Sequence, residues 1–103
     1  MIDLQKKDSV YVLTMDAGEN RWNTTFVREF AKALDEVEKD DGPGALVTRA
    51  QDPKFFSNGL DLDWMKNPAG HPEGGDREVF GEEFMFLMGR MITLPIPSIC
   101  TIT

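Results

Sequence analysis

The sequence predicts an α/β fold whose elements follow the order β-β-α-β-α-β. Segments with the periodicity of amphipathic helices alternate with short segments rich in strand-forming residues, and breaks containing Gly and Pro separate them. Helices placed between strands imply crossover connections, which join parallel neighbours, so we expect a largely parallel sheet. The length of 103 residues allows one domain at most.

The first half of the chain contains a predicted hairpin, a helix and a strand. Apolar–polar alternation followed by a β-forming run predicts a β-hairpin over residues 2–15. A helix is predicted from Thr24 to Lys39, with Asn23 or Thr24 as its N-cap, and its apolar face is formed by Phe26, Phe30, Ala33, Leu34 and Val37. Gly42 is suited to a left-handed C-cap for this helix, and residues 45–49 then form a short buried strand.

The second half contains a predicted mobile loop, a second helix and a last strand. Residues 67–75 carry two Pro and three Gly, which predicts a mobile loop. Asp76 is the expected cap of a helix that reaches Thr93 and is apolar over most of its circumference, so this helix needs cover on more than one side. A strand over residues 98–103 follows with no turn or polar tail, which indicates the front part of a longer protein.

Composition and charge exclude several classes of protein. The net charge of -7 leaves no basic stripe for nucleic acid. No apolar run approaches the roughly 18 residues of a membrane span, and no secretory leader is visible. The single Cys100 rules out an internal disulfide framework, so we expect a cytoplasmic or organelle-matrix location.

The segment that indicates chemistry is residues 54–62, which read KFFSNGLDL. Asn58-Gly59 permits a tight turn with positive φ, and the residues after it begin a helical turn. The N–H groups of Gly59 and Leu60 should therefore lack partners within that helix. Free N–H groups at such a position suit a developing oxyanion, although an ordinary strand-loop-helix connection gives the same pattern.

Four segments in the correct order resemble the crotonase (enoyl-CoA hydratase/isomerase) superfamily. Residues 56–62 are similar to its Phe-Ser/Cys-Ala-Gly-x-Asp-Leu signature, and residues 20–23 resemble its Asn-x-Leu-Asn segment. Residues 45–48 resemble the strand before the signature, and residues 94–102 resemble its Leu-Pro-x-Pro-x-Ile-Ala segment. The resemblance implies a crotonase-like spiral of ββα units, truncated after β-β-α-β-α-β, with residues 1–103 as the N-terminal part of the domain.

The resemblance also implies a mechanism and a catalytic group. One of two N–H donors of an oxyanion hole would be the backbone N–H of Leu60, and the second donor and the acid/base carboxylates would lie beyond residue 103. Two substitutions depart from the family pattern: Asn58 replaces a small residue of the signature, and Trp22 replaces a Leu and would narrow the acyl or pantetheine path if it faces it. The predicted substrate-binding residues are Arg21, Trp22, Lys54, Ser57, Asn58, Gly59, Leu60 and Asp61, with Lys66 as a further cation for the CoA phosphates.

Other reactive side chains have structural interpretations. Asp61 complements the dipole of the helix that follows it, which we favour over a role as a base. Asp61 and Asp63 fail the EF-hand spacing, so no metal is expected. His71 is read as a solvated turn residue, and Cys100 as a buried, inert thiol. Glu82 and Glu83 on the second helix are interpreted as solvated acids, with a position beside the acyl pocket left open. The same helix carries an apolar stripe that is interpreted as core or subunit interface and not as a cofactor site: Phe80, Phe84, Met85, Met88 and Met91.

The predicted function follows from the resemblance. It implies an acyl-CoA-binding enzyme of fatty acid metabolism, a hydratase (a lyase) or an isomerase of enoyl-CoA, which stabilises a thioester enolate. CoA would be part of the substrate, with no separate cofactor, and the protein would be a homo-oligomer, a trimer or a hexamer. Decarboxylation, dehalogenation and thioester hydrolysis remain open as reactions, and a non-catalytic truncated module or assembly fragment remains open as a function. Residues 1–103 alone are expected to be inactive.

Overall fold

The computed structural model describes residues 1–102, which form a four-stranded sheet with its strands in chain order. The strands are β1 (Ile2–Lys7), β2 (Val10–Met15), β3 (Ala45–Ala50) and β4 (Ser98–Cys100). β1 and β2 form the predicted antiparallel hairpin, whereas β2, β3 and β4 are parallel neighbours. The prediction of a largely parallel α/β sheet is confirmed.

Three α-helices connect these strands: α1 (Thr24–Glu38), α2 (Leu62–Lys66) and α3 (Phe80–Thr93). Asn23 is the N-cap of α1, since its side-chain oxygen accepts a hydrogen bond from the Phe26 N–H at 2.9 Å. The prediction of α3 is correct in its end but not in its start. Asp76 caps a short 3₁₀ turn, Arg77–Val79, and the α-helix begins after that turn.

The C-terminal end of α1 differs from the prediction. Gly42 does not adopt the left-handed conformation expected of a C-cap. The segment after α1 is fixed to the hairpin by Asp40 instead. Its carboxylate accepts hydrogen bonds from Lys6, from the Tyr11 hydroxyl at 2.7 Å and from the Gly42 N–H at 2.9 Å. These three donors lower the pKa of Asp40 well below its ordinary range. A tertiary contact with the hairpin therefore takes the place of a local cap.

Residues 67–75 form two 3₁₀ turns, Pro68–Gly70 and Pro72–Gly74, rather than an irregular loop. The indole N–H of the buried Trp64 donates to the Gly75 carbonyl at 3.0 Å. Gly74 lies so close to the same ring that an added Cβ would be 2.4 Å from it. These contacts anchor the end of the segment, and its mobility stays a prediction.

The core lies between the sheet, α1 and α3. Its buried side chains are Leu13, Met15, Phe26, Val27, Phe30, Ala33, Leu34, Val37, Leu46 and Leu87. α3 contributes one side to this core, while its other side leaves Met85, Phe86 and Ile92 between 69% and 84% exposed. Ile99 and Ile102 are also exposed, so an apolar surface on α3 and around β4 has no cover within residues 1–102. None of the helices in this part of the chain is long and apolar enough to cross a bilayer.

The last strand is shorter than predicted. β4 ends at Cys100, although the Thr101 N–H still donates to the Thr48 carbonyl at 2.9 Å. Thr103, the end of the predicted strand, lies outside the described residues. Cys100 is exposed, so the prediction of a buried thiol is wrong. Its strand lies at one edge of the sheet, and no element in residues 1–102 covers it.

Candidate functional site

The turn at Asn58-Gly59 has the predicted backbone conformation. Gly59 has φ of 77°, in the left-handed region where side chains other than Gly are strained. A Cβ built at Gly59 would have no atom within 4 Å, so the conformation and not a close contact requires glycine there. The sequence pattern correctly identified this backbone requirement.

The N–H of Leu60 forms no hydrogen bond within residues 1–102, while the peptide groups before and after it are both hydrogen-bonded to Trp22. The Trp22 N–H donates to the Gly59 carbonyl at 2.8 Å, and the Asp61 N–H donates to the Trp22 carbonyl at 2.9 Å. This is a single parallel bridge between Trp22 and Leu60, in which the N–H of the bridged Leu60 points away from its partner. The Leu60 N–H has no hydrogen-bond partner within residues 1–102, and it precedes α2. By contrast, the Gly59 N–H donates to the Ser57 hydroxyl oxygen at 3.2 Å.

Asp61 has both carboxylate oxygens engaged. One accepts from the Trp64 N–H at 3.3 Å, so Asp61 is the N-cap of α2, and the other accepts from the Asn23 side-chain amide at 3.3 Å. These contacts favour the structural interpretation over a catalytic base. Within residues 1–102, no three side chains of His, Cys, Asp or Glu lie together as a metal site would require.

Glu19 connects two of the predicted binding residues, and sequence reasoning missed it. Its carboxylate forms an ion pair with Arg21 at 2.7 Å and accepts from the Asn58 side-chain amide at 3.3 Å. Its carbonyl accepts from the Asn58 N–H at 2.8 Å. An acid two residues before Arg21 was the available signal, but the contact with Asn58 spans 39 positions and depends on the fold.

The other predicted cations lie apart from this ion pair. Lys54 is exposed, and its ammonium lies 5.5 Å from the centre of the Phe55 ring. Lys66 is exposed at the end of α2. A cavity of about 310 Å³ lies beside the turn and has Arg21, Asn23 and Asp61 in its wall.

Trp22 packs into an aromatic cluster. Its ring centre lies 4.7 Å from that of Phe26, 5.7 Å from Phe30 and 5.4 Å from Phe84. Three aromatic contacts of this kind stabilise the position of the ring, which is partly buried and packs against the core. Its predicted effect on the acyl path stays a prediction.

The remaining candidates have ordinary surroundings. His71 is half-buried, with its Nδ1 3.5 Å from the Glu73 carboxylate. Glu83 receives two hydrogen bonds at 2.8 Å from the Arg28 guanidinium, and these lower the pKa of its carboxyl. Glu82 is exposed. Nothing in these contacts indicates a catalytic role for the three.

Asn20 is the second residue that sequence reasoning missed. It belongs to the 20–23 segment, yet the pattern assigned it no role. It is fully buried, and its side chain contacts both the turn at residues 15–17 and the carbonyl of Phe56. A buried polar residue with several hydrogen bonds generally specifies a local structure.

Comparisons with known proteins agree with the predicted fold. No family model matches the chain. The chain is 27% identical over 105 residues to the peroxisomal enoyl-CoA delta isomerase 2 of Arabidopsis thaliana, covering 99% of this chain and 43% of that protein. It is 30% identical over 107 residues to the peroxisomal enoyl-CoA delta isomerase 1 of the same plant, covering 100% of this chain and 42% of that one.

Solved structures give the same fold. A probable enoyl-CoA hydratase from Mycobacterium tuberculosis superimposes with a TM-score of 0.77 at 25% identity, over 96% of this chain and 40% of the other. An enoyl-CoA hydratase from Shewanella pealeana superimposes with a TM-score of 0.82 over 99% of this chain and 38% of the other; at 22% identity it bears on the fold alone.

The fold thus defines the class, an α/β protein with the architecture of the N-terminal part of a crotonase domain. The predicted resemblance is confirmed: the chain is similar over its length to curated enoyl-CoA delta isomerases, and its fold matches that of crotonase-type structures, as an N-terminal portion of the crotonase (enoyl-CoA hydratase/isomerase) superfamily would. It spans about two-fifths of the length of the curated relatives it matches.

Proposed function

We propose that this chain carries one half of an acyl-CoA site, in which the Leu60 N–H binds the thioester carbonyl oxygen. The observation that supports the proposal is the free Leu60 N–H, fixed by hydrogen bonds at the residues before and after it. A donor that is already oriented stabilises developing negative charge without reorganising during the reaction. The second donor and the groups that move protons would come from residues outside the described part of the chain.

Isomerisation of an enoyl-CoA double bond is the reaction we favour, with hydration as the alternative. The curated relatives are named enoyl-CoA delta isomerases, whereas the two solved structures are named hydratases. Both reactions place negative charge on the thioester oxygen, so the same donor serves either one. Both move only protons or water, so neither needs a redox cofactor, and CoA takes part as a portion of the substrate.

Binding of CoA by an acidic chain requires local positive charge. Lys54 and Lys66 are exposed and able to meet phosphates, whereas the charge of Arg21 is neutralised by Glu19. We therefore expect weak binding that salt weakens further. Two of the curated relatives are named peroxisomal. We therefore propose either an organelle matrix or the cytoplasm as the location.

A pair of ligands tests the role of Leu60. Butanoyl-CoA has a thioester carbonyl, and S-butyl-CoA is a thioether of the same length without that oxygen. In a titration of the ¹⁵N-labelled chain, we expect the Leu60 amide to shift with butanoyl-CoA and not with S-butyl-CoA. The thioester should bind about fivefold more tightly, the worth of one hydrogen bond. The Gly59 amide, already bonded to Ser57, is the internal control and should shift less. Equal affinities, or no binding of either ligand, would contradict the proposal.

A non-catalytic assembly module is a second candidate, and the exposed apolar surface of α3 favours it. Phe86 and Ile92 are 71% and 84% exposed. A helix face that meets only solvent usually carries polar side chains, so large apolar side chains exposed together indicate a contact surface. A chain that associates through this surface and does not distinguish the two ligands would have this second function.

A further inference from the structure

Asn20 joins three segments of the chain through its side chain. The side chain is fully buried, and the backbone φ of 51° is in the left-handed region, which Asn tolerates better than most residues. Oδ1 accepts a hydrogen bond from the Ala17 N–H at 2.9 Å. Nδ2 donates to the Phe56 carbonyl at 2.9 Å and to the Met15 carbonyl at 3.4 Å. The end of β2, the turn after it and the segment before Gly59 therefore share one buried amide.

The backbone of Asn20 holds the same segment from a second direction. Its carbonyl accepts a hydrogen bond from the Ser57 hydroxyl at 2.8 Å. The Ser57 oxygen in turn accepts from the Gly59 N–H at 3.2 Å. Asn20 thus fixes Phe56 and Ser57 directly, and through Ser57 it fixes Gly59, the residue immediately before Leu60.

We propose that Asn20 is a positioning residue for the Leu60 N–H, in addition to the backbone of Trp22. The inference rests on the proposed function, because it assigns Asn20 a role only if that N–H binds the thioester oxygen. The direction of the Leu60 N–H is set by the peptide plane between Gly59 and Leu60, and glycine has the widest conformational freedom of any residue. Contacts outside the turn must therefore fix the orientation of this plane. The hydrogen bonds of Asn20 do so from the N-terminal side, through Ser57.

The variant Asn20→Asp removes the hydrogen bonds donated by the side chain without a large change in side-chain size or backbone strain. Asp has nearly the same size, keeps an oxygen for the Ala17 N–H and tolerates the left-handed backbone. It replaces the Nδ2 donor with an oxygen that faces the carbonyls of Phe56 and Met15. Asp8→Ala is the matched control for general destabilisation, since Asp8 has φ of 57° in the exposed hairpin turn, remote from Gly59.

The readout is the ratio of the affinities for butanoyl-CoA and S-butyl-CoA, measured by titration of the 103-residue chain. We expect a ratio of about five in the unmodified chain. In Asn20→Asp it should fall towards one, while the affinity for S-butyl-CoA changes by less than about twofold. Asp8→Ala should lower the stability and leave the ratio unchanged. A purely structural role would lower both affinities together and leave their ratio intact.

Ser57→Ala keeps the test decisive if Asn20→Asp does not fold. It removes the hydroxyl between the Asn20 carbonyl and the Gly59 N–H at a half-buried position, and it should at least halve the ratio. If whichever of these two variants folds keeps the affinity ratio of the unmodified chain, the role of Asn20 is overturned and the proposed function is unaffected. A ratio of one in the unmodified chain overturns the proposed function, and this inference with it.

Discussion

Substitution of Gly59 tests the link between backbone conformation and the Leu60 donor. A left-handed conformation costs an L-residue about 1–2 kcal/mol. Since a Cβ at Gly59 would have no atom within 4 Å, the strain is the whole expected cost of Gly59→Ala, with no added term from a close contact. Gly18 has φ of 62° and the same open surroundings, so Gly18→Ala is a matched control.

The two alanine variants should have equal stability and different binding. We expect each to lower the free energy of unfolding by about 1 kcal/mol, measured by urea titration. Only Gly59→Ala should reduce the preference for butanoyl-CoA over S-butyl-CoA, because relaxation of the strained residue rotates the next peptide plane. Gly59→Val should reduce it further, since β-branched residues resist positive φ most strongly. In a complete enzyme, loss of one such donor lowers kcat by about a hundred- to a thousandfold.

Two results would refute this reasoning. A full preference for the thioester in Gly59→Val would show that the Leu60 N–H does not depend on the conformation of Gly59. An equal loss of preference in Gly18→Ala would show that general destabilisation, and not the local plane, determines the effect. In the first case the preference does not depend on the turn that Gly59 provides, and in the second it follows overall stability, so either result removes the link between the Gly59 conformation and the Leu60 donor.

Three further predictions concern activity, charge and association. The 103-residue chain should show no detectable enoyl-CoA turnover by ultraviolet absorbance. Under the proposed function, the second donor and the acid/base groups come from outside the described residues, and their loss together costs at least about ten-thousandfold. Turnover at ordinary enzyme rates would contradict this prediction. Glu19→Gln should free Arg21 and tighten CoA binding several-fold at low salt, and an unchanged affinity would show that Arg21 does not meet the ligand. Phe86→Asp should shift a self-associating chain towards monomer in sedimentation; a monomeric unmodified chain would disprove association through this surface.

The pH dependence of stability should report the contact at the end of α1. Asp40 has a pKa held below its ordinary value by Lys6, Tyr11 and Gly42, so its contribution to stability is complete above about pH 4 and is lost as the pH falls below that. Asp40→Asn should therefore flatten the acid side of a plot of melting temperature against pH. An identical acid limb in the variant would show that this contact does not couple folding to protonation.

The sequence predicted the elements whose cause is local. The apolar spacing of α1 and the hairpin before it follow from periods that neighbouring residues set, and both are confirmed. The positive φ of Gly59 was equally readable, because the dipeptide Asn-Gly favours it whatever lies nearby. Gly42 shows the limit of such reasoning: the local pattern for a cap was present, and a distant contact of Asp40 with Tyr11 determined the structure instead.

The parts of the site that sequence reasoning missed are contacts between its two segments. Residues 20–23 and 56–62 were each recognised, but not that Asn20 and Trp22 hold the second segment, nor that Glu19 pairs with Asn58. These contacts join positions 36 to 39 apart, and a pattern within either segment contains no information about them. The hydrogen bonds that orient the Leu60 N–H all lie within residues 15–64, inside the described part of the chain. The orientation of this donor and the chemistry that would use it are therefore separable: ligand discrimination should be measurable in this chain even where turnover is not.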